Sequence, residues 1–309
     1  MKHVFIINPH AGKRDQTSRI YEMADRLREK HGLECACMLT DRPGGATDMA
    51  RKLAESEEEV RLYACGGDGT LSEVANGIAG FSNAAVSCIP TGTGNDFLKN
   101  FGPDMEKFCD AENLWNGAVR PLDLIDCNGR LCLTIACNGI DARVAEGVHR
   151  YSKTPALSGK GSYIASIAAN FLFSTISRRW TVSLDGGVPV EDDFALISLC
   201  NGRYYGGGFF PVPEARMDDG VLHAVMIRKV TRLEFLQLIG SYSKGKHKDL
   251  PPRLIQVMPA REIRITADED IVTCLDGECS RSRNVVMKLS DKKVNFFGPH
   301  GCDSNATAT

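Results

Sequence analysis

The sequence predicts two domains, an α/β domain with a parallel sheet followed by a mainly antiparallel β-sandwich. The first third of the chain alternates short apolar runs with segments of helical periodicity, which is typical of βαβ units. The remainder consists mostly of strand-like runs separated by Asn-Gly or Asp-Gly turns. The length of 309 residues also exceeds the roughly 250 to 300 residues at which a single hydrophobic core stops growing.

In the predicted first domain, residues 1–126, four strands alternate with three helices. Asn, Pro and Gly clusters follow the strands, at the carboxyl ends where parallel sheets bind phosphates. Residues 293–309 are a candidate for a return to this domain. The strands are Val4–Ile7, Leu33–Leu39, Val60–Cys65 and Ala85–Ile89, and the helices are Thr17–Lys30, Ala46–Ala54 and Leu71–Ile78.

In the predicted second domain, residues 127–292, turns join most of the strands. A sandwich accounts for this pattern better than further βαβ units do. The strands are Leu131–Cys137, Trp180–Leu184, Phe194–Cys200, Val221–Ile227, Glu262–Thr266, Ile271–Leu275 and Val285–Leu289. The helices are Ala142–Tyr151, Tyr163–Ser174 and Arg232–Tyr242.

The composition excludes several classes of protein. Lys plus Arg number 37 and Asp plus Glu 39, so the chain lacks the basic excess of a nucleic-acid-binding protein. The twelve cysteines form no Cys-x-x-Cys pair, which argues against a zinc site or a disulfide framework and for a reducing compartment. The longest apolar stretch, Tyr163–Ile176, is shorter than the roughly 20 residues that span a bilayer. We therefore expect a cytoplasmic protein.

The strongest local motif, Gly66-Gly67-Asp68-Gly69-Thr70, lies where a strand passes into a helix. Glycines let the backbone approach a phosphate closely, and the amides at a helix start favour negative charge. Asp68 is poorly suited to touch a phosphate directly, so we interpret it as holding a cation or a water molecule. The alternative is a tight strand-to-helix turn without a ligand.

A second glycine cluster, Pro90-Thr91-Gly92-Thr93-Gly94-Asn95-Asp96, follows the next strand. Its hydroxyls and its Asn-Asp pair are able to hydrogen-bond a nucleotide. Neither cluster contains a Walker A sequence or Gly-x-Gly-x-x-Gly. That absence argues against P-loop NTPases and ordinary dinucleotide dehydrogenases.

These clusters, an opening Asn-Pro-x-x-Gly (Asn8, Pro9, Gly12) and a late Leu-Asp-Gly-Glu (275–278) together resemble the diacylglycerol kinase catalytic family. The likeness is strongest to its soluble bacterial branch, which is related to the sphingosine kinases, and it extends over nearly the whole chain. NAD kinases and phosphofructokinases share the first glycine motif only, and the first domain is expected to have their type of fold. The resemblance implies a two-domain enzyme that uses ATP to phosphorylate a lipid hydroxyl.

The resemblance also assigns roles to residues of the matching motifs. Asp276 is implied as the general base that takes the proton of the lipid hydroxyl, with Glu278 as a nearby acidic partner. Asp68 is implied to face the metal and the phosphates. A hairpin turn without a catalytic role is the alternative for Asp276-Gly277. The implied nucleotide-binding residues are Asn8, Thr40, Gly66, Gly67, Gly69, Thr70, Thr93, Gly94 and Asn95.

Two further positions have an implied link to Mg²⁺. Asp123 matches an aspartate of the family that is connected through water to the catalytic network, and the alternative is a strand-edge residue without a role. The loop 215–221 resembles one that holds a second, structural Mg²⁺ through the Asp219 carboxylate and the carbonyls of Arg216 and Val221. An Asp-Gly turn is the alternative for this loop.

The leading hypothesis is therefore transfer of the γ-phosphate of ATP, with Mg²⁺, to a lipid at the inner surface of the membrane. Diacylglycerol is the favoured acceptor, while sphingoid bases, phosphatidylglycerol and other membrane alcohols stay open. An NAD kinase would have a different second loop, and a silent lipid- or nucleotide-binding regulator would have lost a base or metal carboxylate. Homodimers occur in the resembling family, so a homodimer is one expected state.

Three segments have a second interpretation besides packing or solvation. The apolar stripe 163–172 has the spacing of a core helix and would also suit an acyl-chain pocket. The aromatic and glycine-rich loop 204–211 suits either packing or substrate entry. The basic run Lys244–Lys248 is either a solvated loop or a contact for anionic lipid headgroups.

Overall fold

The computed structural model of the protein describes residues 1–56, 58–152 and 175–302, with the backbone alone for 148–152. The described chain divides into two compact units. The first unit combines Met1–Leu124 with the segment that begins at Asp291, and the second unit is Ile125–Ser290. The predicted helix 163–174, with its apolar stripe, lies outside the described residues.

The described residues form fifteen strands and five α-helices, which we number in chain order. The strands are β1 Lys2–Ile7, β2 Cys35–Leu39, β3 Val60–Gly66, β4 Ala84–Pro90, β5 Val119–Leu122, β6 Ile125–Cys127, β7 Arg130–Cys132, β8 Ile135–Gly139, β9 Arg178–Leu184, β10 Val190–Cys200, β11 Leu222–Arg228, β12 Ile255–Ala260, β13 Glu262–Leu275, β14 Glu278–Leu289 and β15 Val294–Phe297. The helices are α1 Thr17–His31, α2 Gly45–Ala54, α3 Asp68–Ile78, α4 Ile140–Ser152 and α5 Arg232–Tyr242. Short 3₁₀ segments lie at Phe97–Cys109, Ala111–Asn113 and His247–Asp249.

The first unit contains a six-stranded sheet with strand order β2-β1-β3-β4-β15-β5. All neighbouring pairs are parallel except β15 with β5. Strands β1, β3 and β4 are buried along nearly their whole length, as expected for parallel strands that are covered on both faces. Helix α1 buries residues spaced three and four apart, namely Ile20, Met23, Ala24 and Leu27. The predicted α/β fold of this part is confirmed.

The return of the chain to the first unit is fixed by aromatic packing. Strand β15 places Phe296 opposite Val86 of β4. The ring of Phe296 lies 5.1 Å from that of Phe97 and 5.5 Å from that of Phe101, measured between centroids. Phe101 in turn packs 4.9 Å from Phe108. Such pairs stabilise a fold beyond the area they bury, so this cluster ties the 3₁₀ segment after β4 to the last strand.

The second unit is an antiparallel sandwich, which confirms the predicted class. Its main strand order is β12-β11-β10-β8-β13-β14-β6-β7, and β9 pairs with both β10 and β13. The two long strands change partners at irregularities in their pairing, between Phe194 and Leu196 in β10 and between Thr266 and Ile271 in β13. Strands that bend at bulges are the usual way for one sheet to pass into another.

Two apolar clusters lie on opposite sides of β8 in the second unit. Ile135 and Cys137 belong to the cluster that α5 covers, and Ala136 belongs to the cluster around Trp180. Helix α5 begins with a capping box in which the Thr231 hydroxyl accepts the Glu234 amide, and the Glu234 carboxylate accepts the Thr231 amide. All twelve cysteines of the chain are free, and eight of them are buried. Among the helices that the structure describes, none is long and apolar enough to cross a membrane.

Several predicted elements have different bounds in the structure. The predicted strand Leu131–Cys137 is two strands, β7 and β8, because its middle residues turn their amides toward a carboxylate that is described below. The predicted strands Glu262–Thr266 and Ile271–Leu275 are one bent strand, β13. Strand β12 was not predicted because it contains Pro259. Proline is tolerated in this strand since β12 lies at the edge of the sheet.

Candidate functional site

Three loops of the first unit meet at the carboxyl edge of its parallel sheet. They follow β1, β3 and β4, and β3 lies between the other two in the sheet. The Asn8 amide donates to the carbonyl of Cys65 (3.0 Å), and the Asn8 side-chain amide donates to the hydroxyl of Thr70 (3.3 Å). The Thr40 amide donates to the carbonyl of Ile7 (2.9 Å). The structure therefore brings Asn8, Thr40 and Thr70 to one edge of the sheet.

The two glycine clusters are in direct backbone contact. The Gly92 amide donates to the carbonyl of Gly66 (3.1 Å), and the Asp68 amide donates to the carbonyl of Gly94 (3.0 Å). A Cβ atom on Gly92 would lie 2.5 Å from the Cα atom of Gly67, which no real side chain tolerates. Glycine is required at position 92 because the backbones of the two clusters approach each other closely. This requirement holds whether or not a ligand also approaches the backbone.

Asp68 has a structural role that the sequence did not suggest. Its carboxylate accepts the amides of Asp96 (2.7 Å) and Phe97 (3.1 Å). Asp68 is the first residue of α3, so these bonds fasten the second glycine cluster to the start of that helix. Charge-assisted bonds of this kind are among the stronger ones in proteins. The role of Asp68 toward a metal stays a prediction.

The remaining predicted nucleotide residues lie on the outer side of these loops. Gly69, Thr93 and Gly94 are exposed, and Asn95 is half-buried with its side-chain amide donating to the carbonyl of Gly92 (3.0 Å). Gly69 is in the first turn of α3, where backbone amides have no partner within the helix. This arrangement offers amide donors, hydroxyls and a helix start to an anion.

In the second unit, Asp276 and Gly277 form the two-residue turn between β13 and β14, both with positive φ angles of 45° and 101°. The Asp276 carboxylate accepts three consecutive backbone amides, from Leu133 (2.6 Å), Thr134 (3.0 Å) and Ile135 (3.1 Å). Burial raises the pKa of the Asp276 carboxyl above its ordinary value, although the three amides act in the opposite direction. The turn therefore also holds a carboxyl group whose pKa is raised.

Glu278 follows this turn as the first residue of β14 and is exposed. It lies two residues after Asp276, at the position that the family resemblance assigns to the acidic partner. The three amides occupy most of the roughly four acceptor positions of the Asp276 carboxylate. The roles of Asp276 as a base and of Glu278 as its partner stay predictions.

Asp123 is buried in the first unit and forms an ion pair with Lys293, with 2.8 Å between Oδ1 and Nζ. The register of β5 and β15, which pairs Leu122 with Val294, brings these two residues together. A buried carboxylate needs such a partner to offset the loss of hydration. Asp123 therefore helps to hold the returning strand, and its implied link to a metal stays a prediction.

The predicted second metal loop is compact and rich in oxygen donors. The Asp219 carboxylate accepts the amide of Val221 (2.9 Å), and Gly220 between them has a φ of 73°. Arg216 and Asp219 are exposed. A carboxylate and backbone carbonyls are the hard oxygen ligands that Mg²⁺ prefers, so the donor set fits the ion. Within residues 1–56, 58–152 and 175–302, no cluster of three or more His, Cys, Asp or Glu side chains is arranged to hold a metal.

One polar cluster was missed by the sequence analysis. Tyr205 donates its hydroxyl to the carboxylate of Asp141 at the start of α4, and lies 3.0 Å from the hydroxyl of Tyr242. Burial raises the pKa of Asp141 to about 6. The sequence offers only an acidic residue in the first turn of a helix, which does not point to the two distant tyrosines of the cluster.

A pocket of about 330 Å³ in the second unit has a lining rich in charged side chains. Four arginines and three acidic residues line it, and Arg178 pairs with Glu269 at 2.6 Å. Charged walls do not suit an acyl chain. The charged lining residues are Arg143, Arg178, Arg281, Arg283, Asp268, Glu269 and Asp270.

The contact between the glycine clusters generates a stability prediction. Gly92→Ala should lower the free energy of unfolding by about 1 to 3 kcal/mol, because the added Cβ would collide with the backbone of Gly67. Gly69→Ala is the matched control, since no atom lies within 4 Å of its added Cβ. Thermal unfolding of both variants checks this. Equal melting temperatures for the two would contradict the close backbone packing.

Two family models match the chain. The diacylglycerol kinase catalytic domain matches residues 2–127, and the YegS C-terminal NAD kinase beta sandwich-like domain matches residues 134–297. A crystal structure of a diacylglycerol kinase from Bacillus anthracis superposes with a TM-score of 0.69 at 21% identity and covers 96% of each chain. That likeness shows the fold.

Relatives of similar length support the same assignment. The diacylglycerol kinase of Bacillus subtilis is 28% identical over 283 residues, which is 90% of each chain. A Pseudomonas aeruginosa protein named "Probable lipid kinase YegS-like" is 33% identical over 277 residues, covering 87% of this chain and 86% of that protein. With both units matched in order, the chain belongs to the diacylglycerol kinase family of lipid kinases.

Proposed function

We propose that this protein transfers the γ-phosphate of ATP to the hydroxyl of diacylglycerol or a similar membrane lipid. The observation that carries the proposal is the meeting of three loops around the exposed start of α3, in a chain of the diacylglycerol kinase family. The name of the Bacillus subtilis relative supports diacylglycerol as the acceptor. The first unit would bind the nucleotide, and the second would bind the lipid.

In this proposal the nucleotide phosphates bind at the carboxyl edge of the parallel sheet. Backbone amides around Gly69 and Gly94, which are exposed, would donate to phosphate oxygens. The hydroxyl of Thr93 and the side-chain amide of Asn8 would add hydrogen bonds. Asp68 would act by fastening the two loops, since its carboxylate already accepts two amides. A rigid site of this kind positions the γ-phosphate without reorganisation during transfer.

Asp276 would act as the general base. As the lipid oxygen forms a bond to the γ-phosphorus, the bond from that phosphorus to the β–γ bridging oxygen breaks and ADP leaves. The proton of the lipid hydroxyl passes to the Asp276 carboxylate and then to solvent. Burial raises the pKa of this carboxyl, which makes its anion a better proton acceptor than an exposed aspartate. Glu278 would stand beside it as a second, exposed acidic group.

Mg²⁺, when bound, would supply charge neutralisation at the transferring phosphate and, at a second position, would stabilise the fold. The residues proposed for the second position are Asp219, through its carboxylate, and Arg216 and Val221, through their carbonyls. The hydrogen bond from the Val221 amide to Asp219 already orients this carboxylate. Asp123 contributes through its ion pair with Lys293, which holds β15 beside β5.

The experiment that tests the proposal is transfer of labelled γ-phosphate from ATP, with Mg²⁺, to purified acceptors. The panel contains diacylglycerol, sphingosine and phosphatidylglycerol in mixed anionic micelles, together with NAD. Label on diacylglycerol supports the proposal and names the acceptor. Label on NAD alone would replace it with an NAD kinase activity, and no transfer to any of the four would favour a silent binding protein.

Asp276→Asn should lower kcat by about 10²- to 10⁴-fold, because the proton acceptor is lost. The new carboxamide would also point its NH₂ group at a backbone amide, so stability should fall by about 1 to 3 kcal/mol. Gly277→Ala is the matched control, since it strains the same turn and keeps the carboxylate. Steady-state kinetics and thermal unfolding check both variants. Equal kcat losses in the two would assign Asp276 a structural role only.

Asp219→Ala should remove the stabilisation that Mg²⁺ gives to the protein without nucleotide. A ligand at a hundredfold excess over its Kd stabilises a fold by about 2.7 kcal/mol, which is easily seen as a shift in Tm. Asp218→Ala is the control, because it removes the same charge one residue earlier. Melting curves with and without Mg²⁺ measure the effect. A full Mg²⁺ shift in Asp219→Ala would contradict the second metal position.

A further inference from the structure

Helix α5 carries leucines on the face that points away from the core. Leu233 is 66% exposed and Leu236 is 54% exposed. On the other face of the same helix, Phe235, Leu238 and Tyr242 are buried among the apolar cluster of the second unit. The helix therefore has two apolar faces, and only one of them is used for packing among the described residues.

The geometry of the helix separates these faces cleanly. At about 100° per residue, the three buried side chains lie roughly 140° to 200° around the helix from Leu233. Leu236 and the exposed Gly240 lie within roughly 60° of Leu233 on the outer face. Gln237, also exposed, lies roughly 40° from Leu233 on the same face, so the outer face combines two leucines with an uncharged polar side chain. A water-facing stripe of this kind usually carries charged residues.

The outer face is presented by a helix that is fixed in place. The capping box of Thr231 and Glu234 satisfies amides at its start, and the Arg253 guanidinium binds the Glu234 carboxylate (3.4 Å). Tyr242 at its end is fully buried and contacts the hydroxyl of Tyr205 (3.0 Å). The exposure of the two leucines therefore does not come from fraying of a helix end.

The segment that contains α5 and the turn after it is positively charged, although Lys229, Lys248 and Arg253 form ion pairs. Residues 229–253 contain six Lys or Arg and two Asp or Glu, a formal charge of +4, whereas the whole chain carries −2. Lys244 and Lys246 are exposed, and within the described part of the chain neither forms an ion pair. Lys244 and Lys246 lie two and four residues after Tyr242, the last residue of α5, and so at the end of the helix that carries Leu233 and Leu236.

We propose that this outer α5 surface, made of Leu233, Leu236, Lys244 and Lys246, docks on a membrane with anionic headgroups. Leucines that enter the acyl boundary and lysines that meet anionic phosphates are the two parts of an interfacial helix. A second copy of the chain is a less favourable partner for this surface, because its binding would bring like charges together. The inference rests on the proposed function only in that the lipid acceptor is found in such a membrane.

The test is sedimentation of the full-length protein with vesicles in the absence of ATP. Vesicles of phosphatidylglycerol mixed with phosphatidylcholine are compared with vesicles of phosphatidylcholine alone. The wild type should bind the anionic vesicles more tightly. Leu233→Ser with Leu236→Ser should weaken this binding about tenfold or more, because the apolar contact is lost. Lys244→Gln with Lys246→Gln should weaken it about fivefold per lysine and make the remainder less sensitive to salt.

Two control variants remove exposed apolar or positively charged side chains at positions outside the α5 surface. Val188→Ser removes an exposed apolar side chain of the second unit, where Val188 is 86% exposed. Arg51→Gln with Lys52→Gln removes two exposed charges from α2 of the first unit. Both controls should bind anionic vesicles within about twofold of the wild type, as expected for surface positions outside the contact. Unchanged melting temperatures in all variants exclude unfolding as the cause.

The inference is overturned if the wild type does not bind anionic vesicles, or if the leucine and lysine variants bind as it does. A leucine variant that changes the oligomeric state and leaves vesicle binding intact would also overturn it, in favour of a second copy. Failure of the proposed function is seen separately, as no phosphorylation of a water-soluble short-chain diacylglycerol. The leucine and lysine variants should phosphorylate that soluble acceptor at the wild-type rate.

Discussion

The carboxylate of Asp276 fixes the local course of four strands in the second unit. Its bonds to the amides of Leu133, Thr134 and Ile135 end β7, start β8 and hold the turn that joins β13 to β14. A carboxylate in this position would be costly without donors, and each charge-assisted bond offsets part of that cost by about 1.5 to 3 kcal/mol. The position of the proposed base is thus set by the backbone of another strand pair.

Both motif aspartates accept backbone amides. Asp68 binds the amides of Asp96 and Phe97 and thereby joins the two glycine clusters of the first unit. Asp276 binds three amides, yet burial outweighs them and raises its pKa. The first aspartate therefore holds the two glycine clusters together. The second keeps a proton affinity that suits a base.

The fold was predictable because its signals are local and repeated. Buried runs in β1, β3 and β4 and the periodicity of α1 identify the parallel sheet, and Asp276-Gly277 identifies a hairpin. The break between β7 and β8 was not predictable, since its cause is a side chain more than 140 residues away. The same holds for the ion pair of Asp123 with Lys293 and for the cluster of Asp141 with two tyrosines. Such contacts depend on register, which sequence patterns do not give.

In the proposed mechanism, a carboxylate with a raised pKa takes the proton of the lipid hydroxyl. This mechanism is tested most directly by the pH dependence of the transfer step, measured in single turnovers with saturating diacylglycerol and ATP. The rate should fall as pH decreases through a pKa above the ordinary value for aspartate, because only the anion accepts the proton. A rate that stays constant through this pH range would contradict Asp276 as the base.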